Sequence, residues 1–170
     1  MTSVYIKPVA RSDADELIRV NAQSRSYHEP WVQPFTDAEG FETWFDEIVT
    51  GANVGLVARE QVSGEVVGVV NVSQIFRKGF QNAYLGFYGS VAFAGRGLMT
   101  EAVWLSAHYS FDQIGLHRLE ANVQPGNLRS IALVRRVGFR KEGFSPRYLR
   151  INGIWCDHER WALLSDELAS

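Results

Sequence analysis

Apolar positions recur with two different periods along this chain, and each change of period marks an element. Val4 to Val9 alternates as a short strand that Pro8 interrupts. Leu17, Ile18 and Val20 supply apolar positions behind Ser12 and Asp15, whose three-residue offset is that of a capping box. Tyr27–Pro34, YHEPWVQP, carries two prolines and is expected to be irregular. Thr36 and Glu39 repeat the capping offset and open a helix with Phe41, Trp44, Phe45 and Ile48 on one face. From Val54 the period shortens to two. Val54–Arg59, Val66–Ile75 and Ala83–Val91 are rich in β-branched and aromatic residues, with SGE and RKGFQ turns between them. They predict an antiparallel meander. A helix follows with Leu98, Ala102, Leu105 and Tyr109 on one face, ended by Gly115. Leu116–Val123 predicts a strand, and NLRSIALVRRVG a short helix closed by Gly138. Phe139–Ile151 and Ile154–Leu164 flank Asn152-Gly153, a strong hairpin signal. The order is β-α-α-β-β-β-α-β-α-β-β, a mixed α/β single domain over 1–170 with no evident linker.

Composition narrows the classes. A chain of 170 residues with 46% hydrophobic content buries a sizeable core as one domain. No apolar run approaches the roughly 18 residues of a membrane span, and MTSVYIKPVA lacks the basic-then-apolar pattern of a secretory signal. Cys156 is the only cysteine, which excludes an internal disulfide and thiolate metal clusters. The expectation is a cytoplasmic protein with no metal and no membrane partner. A net charge of −2 argues against nucleic-acid binding. The charge is uneven, with 5 Lys/Arg against 11 Asp/Glu in residues 1–65 and 9 against 4 in residues 115–160. Two readings remain: surface mixing, or an anionic ligand near the C-terminal half and a cationic one near the N-terminal half.

The stretch FAGRGLMTEA carries the chemistry. Strand hands over to helix through Ala92, Ala94, Gly95 and Gly97, and a helix N-terminus offers free N–H groups and the positive end of the dipole. Small residues let an anion such as a diphosphate reach the amides of Leu98, Met99 and Thr100, with Arg96 adding charge and Thr100 a hydroxyl. The competing reading is a tight turn that needs glycine for geometry alone. Arg96-Gly97-Leu98 does not supply the Gly-Lys-Ser/Thr of a P-loop. Two glycines behind an antiparallel meander do not make a dinucleotide fingerprint.

The run Tyr84–Leu164 resembles the GNAT superfamily of N-acetyltransferases. That family binds the pyrophosphate of acetyl-coenzyme A with a Gln/Arg-x-x-Gly-x-Gly/Ala loop, which matches Ala92-Phe93-Ala94-Gly95-Arg96-Gly97 except that Ala92 holds the leading slot. GLMTEA, GLHRLEANVQPGNLRS, RVGFRKEG and NGIWCDHERWALL are similar, in order and spacing, to the RimJ/RimL-type branch, best known for acetylating N-terminal α-amines of ribosomal proteins. The resemblance implies direct acyl transfer from acetyl-coenzyme A to a primary amine, most simply a protein N-terminus. Alternatives are a small-molecule amine as acceptor, or a non-catalytic acyl-CoA-binding module. The partner is then an amine substrate, without direct nucleic-acid contact, and the protein a monomer or homodimer.

The same resemblance assigns residues. Strands 4 and 5 splay apart in this family, and Ser90 and Val91 sit where free backbone groups hold the pantetheine arm. Asn127 contacts the cofactor, beside a local role as N-cap to the Ser130 amide. Ser130 matches a serine that acts as general acid toward the departing thiolate. Arg135 and Arg136 meet the 3′-phosphate or face solvent, at least one of them solvent. His28 and Glu29 lie in a proline-rich loop of the kind that lines substrate sites, and Trp31 is the tryptophan expected at a pocket. A glutamate that serves as base in some members falls near Leu149, which cannot titrate. His28, Glu29, Glu120 and Glu142 remain as candidate bases. Cys156 shares a strand face with His158, but packing is its expected role.

Overall fold

Val66 and Val69 pack into one core cluster while Val67, Val70 and Val72 pack into another, so the strand that carries them is covered on both faces. The computed structural model describes residues 2–51 and 53–170. Its elements are β1 (Val4–Pro8), α1 (Ala14–Gln23), α2 (Arg25–His28), α3 (Ala38–Thr50), β2 (Val54–Glu60), β3 (Val66–Phe76), β4 (Asn82–Gly89), α4 (Leu98–Asp112), β5 (Arg118–Val123), α5 (Leu128–Val137), β6 (Arg140–Ile151) and β7 (Ile154–Leu164). Short 3-10 turns at Arg11–Asp13 and Val91–Phe93 precede α1 and α4.

Seven strands form one sheet in the order β1-β2-β3-β4-β5-β7-β6. Every neighbouring pair is antiparallel except β4 and β5. The helices α4 and α5 pack one face with Leu98, Ala102, Val134 and Val137. On the other face, α1 and α3 pack with Leu17, Val20 and Phe41. The fold class and the order of strands and principal helices are those expected, and Asn152 (φ 51°) and Gly153 (φ 79°) make the hairpin turn.

Several local expectations are corrected. The cap of α3 is Asp37, whose carboxylate accepts from the Gly40 N–H at 2.8 Å, and not Thr36. Before α1 the acid in use is Asp13, which accepts from the Ala10 N–H at 2.8 Å, and not a Ser12 box. Tyr27 and His28 close a helical turn, because the first proline comes only at position 30 and the turn ends before it. Val91 lies past the end of β4, in a 3-10 turn. The buried face of α4 is Leu98, Ala102, Val103, Ser106, Ala107 and Ser110, with Leu105 and Tyr109 only partly covered. This helix is apolar nearly all round, so periodicity does not choose its face, and the small residues approach the sheet. Ser106 and Ser110 are tolerated there because each hydroxyl donates to the carbonyl four residues back, at 2.8 and 2.7 Å.

Met99 fixes the N-terminus of α4 on the sheet. Its side chain lies over the cross-strand pair Gly68 and Gly89, where a Cβ on Gly68 would collide with the Met99 sulfur and lie 2.5 Å from the Tyr88 carbonyl oxygen. Gly68→Ala is therefore expected to lower the unfolding free energy by about 1–3 kcal/mol through overpacking. Urea titration of the variant against the wild type checks it, and an unchanged midpoint contradicts this packing.

Candidate active site

The parallel pairing of β4 with β5 runs through Asn82–Arg118, Ala83–Leu119 and Tyr84–Glu120 and then stops. Beyond it, β5 follows β7 antiparallel as far as Val123–Glu159, while β4 stays with β3. Two side chains from the α1–α2 region hold the far end of β4. The Ser24 hydroxyl accepts from the Val91 N–H at 3.0 Å, and His28 Nε2 donates to the Gly89 carbonyl at 2.7 Å. A cavity of about 340 Å³ fills the resulting wedge. Its walls are Leu85–Gly89 of β4 and Ala121–Val123 of β5, and Trp31 crosses its rim. Trp31 closes over Gly126, where a Cβ would stand 3.0 Å from the indole, so this glycine serves close approach.

Helix α5 opens on the cavity. Asn127 caps it, its side-chain oxygen accepting from the Ser130 N–H at 3.4 Å as expected, and Asn127, Arg129 and Ser130 all line the space. The β6–β7 hairpin supplies Leu149, Ile151 and His158. Among the described residues that line the cavity there is no Asp or Glu, and Arg129 is the one permanently charged side chain, stacked 4.8 Å from the Tyr27 ring. Tyr88 is kept protonated, since burial pushes its phenol well above the ordinary value. His28 is 4% exposed, and burial holds its pKa below the ordinary value, against a smaller opposite effect of the Gly89 carbonyl.

At the sheet's open end, Gly95 and Gly97 both have φ of 75°, a left-handed conformation that favours glycine, and a Cβ at either would meet nothing within 4 Å. Both readings of the stretch thus have support: the turn needs glycine, and the space above it is open. Gly97 is the N-cap of α4 and provides no side chain to its amides.

The sequence-selected residues fall into three groups. His28, Trp31, Met99, Asn127 and Ser130 meet at the cavity. Gly95 and Gly97 lie in the turn before α4, and Leu98 and Thr100 stand on either side of Met99 in its first turn. Others are engaged elsewhere. The Arg96 guanidinium donates to Glu60 at 2.6 Å and lies over the Phe93 ring. The Ser90 N–H donates to Val67, the Val91 N–H to Ser24 and the Gly89 carbonyl accepts from His28, so the strand edge left without a β5 partner is Leu85–Tyr88 instead. Arg136 is exposed at the end of α5, away from the lining. Glu29 borders a neighbouring cavity of about 370 Å³ that shares His28 and Val32 with the first.

Two candidate bases are tied up. Arg118 grips Glu120 at 2.7 Å and also Glu142, whose carboxyl it holds down to about 2. Cys156 donates weakly to the Ile154 carbonyl at 3.4 Å, and His158 bonds the Cys156 carbonyl and not its sulfur. Sequence reasoning passed over Tyr27, Arg129 and His158 as cavity residues. Strand alternation signalled only that His158 and Cys156 share a face.

Comparison with known proteins agrees with this geometry. The family described as Acetyltransferase (GNAT) domain matches residues 3–140. The chain is 31% identical over 173 residues to a probable N-acetyltransferase of Bacillus subtilis, YjcK, covering 97% of this chain and 96% of that protein. It is 32% identical over 175 residues to the ribosomal protein uS5-alanine N-acetyltransferase of Escherichia coli, covering 96% and 89%. The solved structure of Mycobacterium smegmatis RimJ in complex with CoA-disulfide matches with a TM-score of 0.88 at 28% identity, over 98% of this chain and 84% of that one.

The lowered pKa of His28 predicts a pH dependence of stability. Below the ordinary histidine value of 6.5 the unfolded chain takes up a proton that the folded chain refuses. The contribution is complete above pH 6.5 and is lost as pH falls beneath it. Urea midpoints measured between pH 7.5 and 5.5 should drop more in the wild type than in His28→Gln, which retains a donor for Gly89. Equal slopes in the two proteins contradict the assignment.

Proposed function

We propose an activity for this chain from one premise: it belongs to the GNAT acetyltransferases and is an N-acetyltransferase. Our reading is direct transfer of an acetyl group from acetyl-coenzyme A to the α-amine of a protein N-terminus, with ribosomal proteins as the partner class and the cytoplasm as the setting.

The observation that carries this reading is the wedge between β4 and β5, a cavity without carboxylates that Met99 in the first turn of α4 also lines. The room above Gly95 and Gly97 supports a diphosphate on the amides of Leu98, Met99 and Thr100, with the helix dipole behind them. Arg96 takes no part in this account while Glu60 holds it. The sides of Leu85–Tyr88 and Ala121–Val123 that face the wedge suit the amides of a pantetheine arm, which place the thioester near Asn127 and Ser130. In this role Ser130 donates a hydrogen bond to the sulfur as the carbon–sulfur bond breaks.

The acceptor enters from the side of Tyr27–Asp37, through the neighbouring cavity that shares His28. In the first cavity the only fixed charge is Arg129, itself positive, so the reacting nitrogen meets no carboxylate there, while Glu29 and Asp37 stand on the entry side. An N-terminal α-amine brings one charge, which it must lose before attack. The name of the Escherichia coli relative, an alanine N-acetyltransferase of ribosomal protein uS5, supports the same choice.

Two measurements test the reading. Gly97→Glu places a carboxylate against the diphosphate site and should weaken coenzyme A binding by about tenfold or more in calorimetry, whereas Gly97→Ala isolates the cost of the left-handed backbone. Equal affinities for Gly97→Glu and Gly97→Ala would remove the diphosphate from this loop. In thiol-release assays, peptides with an N-terminal alanine should be turned over and spermidine should not, and the reverse preference overturns the choice of acceptor.

A further inference from the structure

We propose that His158 is the general base that deprotonates the attacking amine. The inference rests on the functional reading above and deepens it, since that reading leaves the proton acceptor open.

No Asp or Glu lines the cavity among the described residues, so a base within reach of the amine must come from the two histidines. Glu120 and Glu142 are locked onto Arg118, and Glu29 belongs to the adjacent space.

The two rings differ in how they are held. In His28, Nε2–H donates to the Gly89 carbonyl at 2.7 Å, which leaves Nδ1 as the lone-pair nitrogen. That atom is sealed from solvent and has no hydrogen-bond partner. Burial also opposes its protonation. His28 is thus a brace between α2 and β4 with its basic atom shut in. In His158, Nδ1 lies 2.8 Å from the Cys156 carbonyl. A carbonyl oxygen only accepts, so Nδ1 carries the hydrogen and Nε2 the lone pair. Nε2 has no hydrogen-bond partner among the described residues, and the ring, although only 3% exposed, lines the cavity. The backbone two residues earlier on β7 sets both tautomer and orientation. This is how a base is positioned without a carboxylate behind it.

Tyr148 on β6 lies with ring centroids 6.2 Å from this ring, Cys156 and Arg160 flank it on the same face of β7, and the titratable and charged groups that share the cavity with it are Tyr27 and His28 on α2, Tyr88 on β4 and Arg129 on α5.

The step balances as follows. The substrate ammonium gives one proton to Nε2, directly or through one water, and the freed nitrogen pair forms the bond to the thioester carbonyl carbon. The carbon–sulfur bond then breaks, and its electron pair leaves with sulfur. The second proton of the attacking nitrogen passes to that sulfur by way of the Ser130 hydroxyl, and the imidazolium releases its own to solvent. The products are the amide, the thiol and one proton.

His158→Asn tests this in the full-length protein, because the asparagine amide preserves a donor toward the Cys156 carbonyl while removing the Nε2 lone pair. With acetyl-coenzyme A and an N-terminal alanine peptide, kcat should fall by about 10²- to 10⁴-fold, and coenzyme A affinity should stay within about twofold. The acid limb of kcat/KM separates a base from a structural residue. A peptide α-amine with a pKa of about 7.7–8.0 contributes one proton to that limb, and His158 the second. Below both ionisations the wild type should lose activity with the square of proton concentration, and the variant with its first power. His28→Gln, which keeps the donor to Gly89, should retain the second-power limb. Full activity in His158→Asn, or an unchanged limb, overturns the assignment while the acetyltransferase reading stands. Loss of the second proton in His28→Gln assigns the base to His28 and also overturns it. A wild type that binds coenzyme A but releases no thiol with any amine overturns both.

Discussion

Everything at the functional end of this molecule depends on the β4–β5 ladder stopping after Tyr84 and Glu120. Two attachments drive the strands apart. On one side β5 continues its register with β7 to Val123. On the other, Ser24 and His28 take the backbone groups at the end of β4 that would otherwise seek a strand partner. A buried strand edge without partners is costly, so a sheet that opens in its middle must satisfy or solvate that edge. Here the edge faces a cavity of about 340 Å³, with Trp31 set against Gly126.

Charge is arranged to leave that cavity nearly empty of it. Glu142 and Glu120 share Arg118, Arg140 bonds Glu167, Lys141 bonds Glu159, and Arg59 holds Asp13 and Glu16. These pairs form within each half of the chain, so they neutralise charge locally while the imbalance between the halves remains. What reaches the site is a dipole at the start of α4, one guanidinium, two imidazoles and hydroxyl groups. Such a set suits a reaction that must strip a proton from a cation and shelter a neutral nucleophile, because an unpaired carboxylate would hold the ammonium in its charged form.

The elements were readable wherever local rules decide the outcome. Asn127 and Gly138 bound α5 because capping and the left-handed cap are properties of a few consecutive residues. Asn152-Gly153 defines its hairpin for the same reason. The strands of the meander were legible from β-branched runs, and the two glycines before α4 from their spacing. The face of α4 was not, since a helix apolar on most sides takes its orientation from which residues are small enough to approach the sheet. The caps at Asp13 and Asp37 lost to neighbouring hydroxyls in the reading because several polar residues stand within one turn of each start. The cavity was only half legible. His28 and Trp31 announce themselves in a proline-rich loop. His158 looks like any strand residue until the irregular register between Ser145 and Leu149 and the packing of β7 beside β5 bring it to the opening.

A structure of the protein with coenzyme A bound is the most direct test. The account places the diphosphate on the amides of Leu98–Thr100 and the pantetheine between Leu85–Gly89 and Ala121–Val123, with the sulfur facing Ser130. Coenzyme A found on another surface, or a β4–β5 gap closed by the protein's own backbone in that complex, contradicts it.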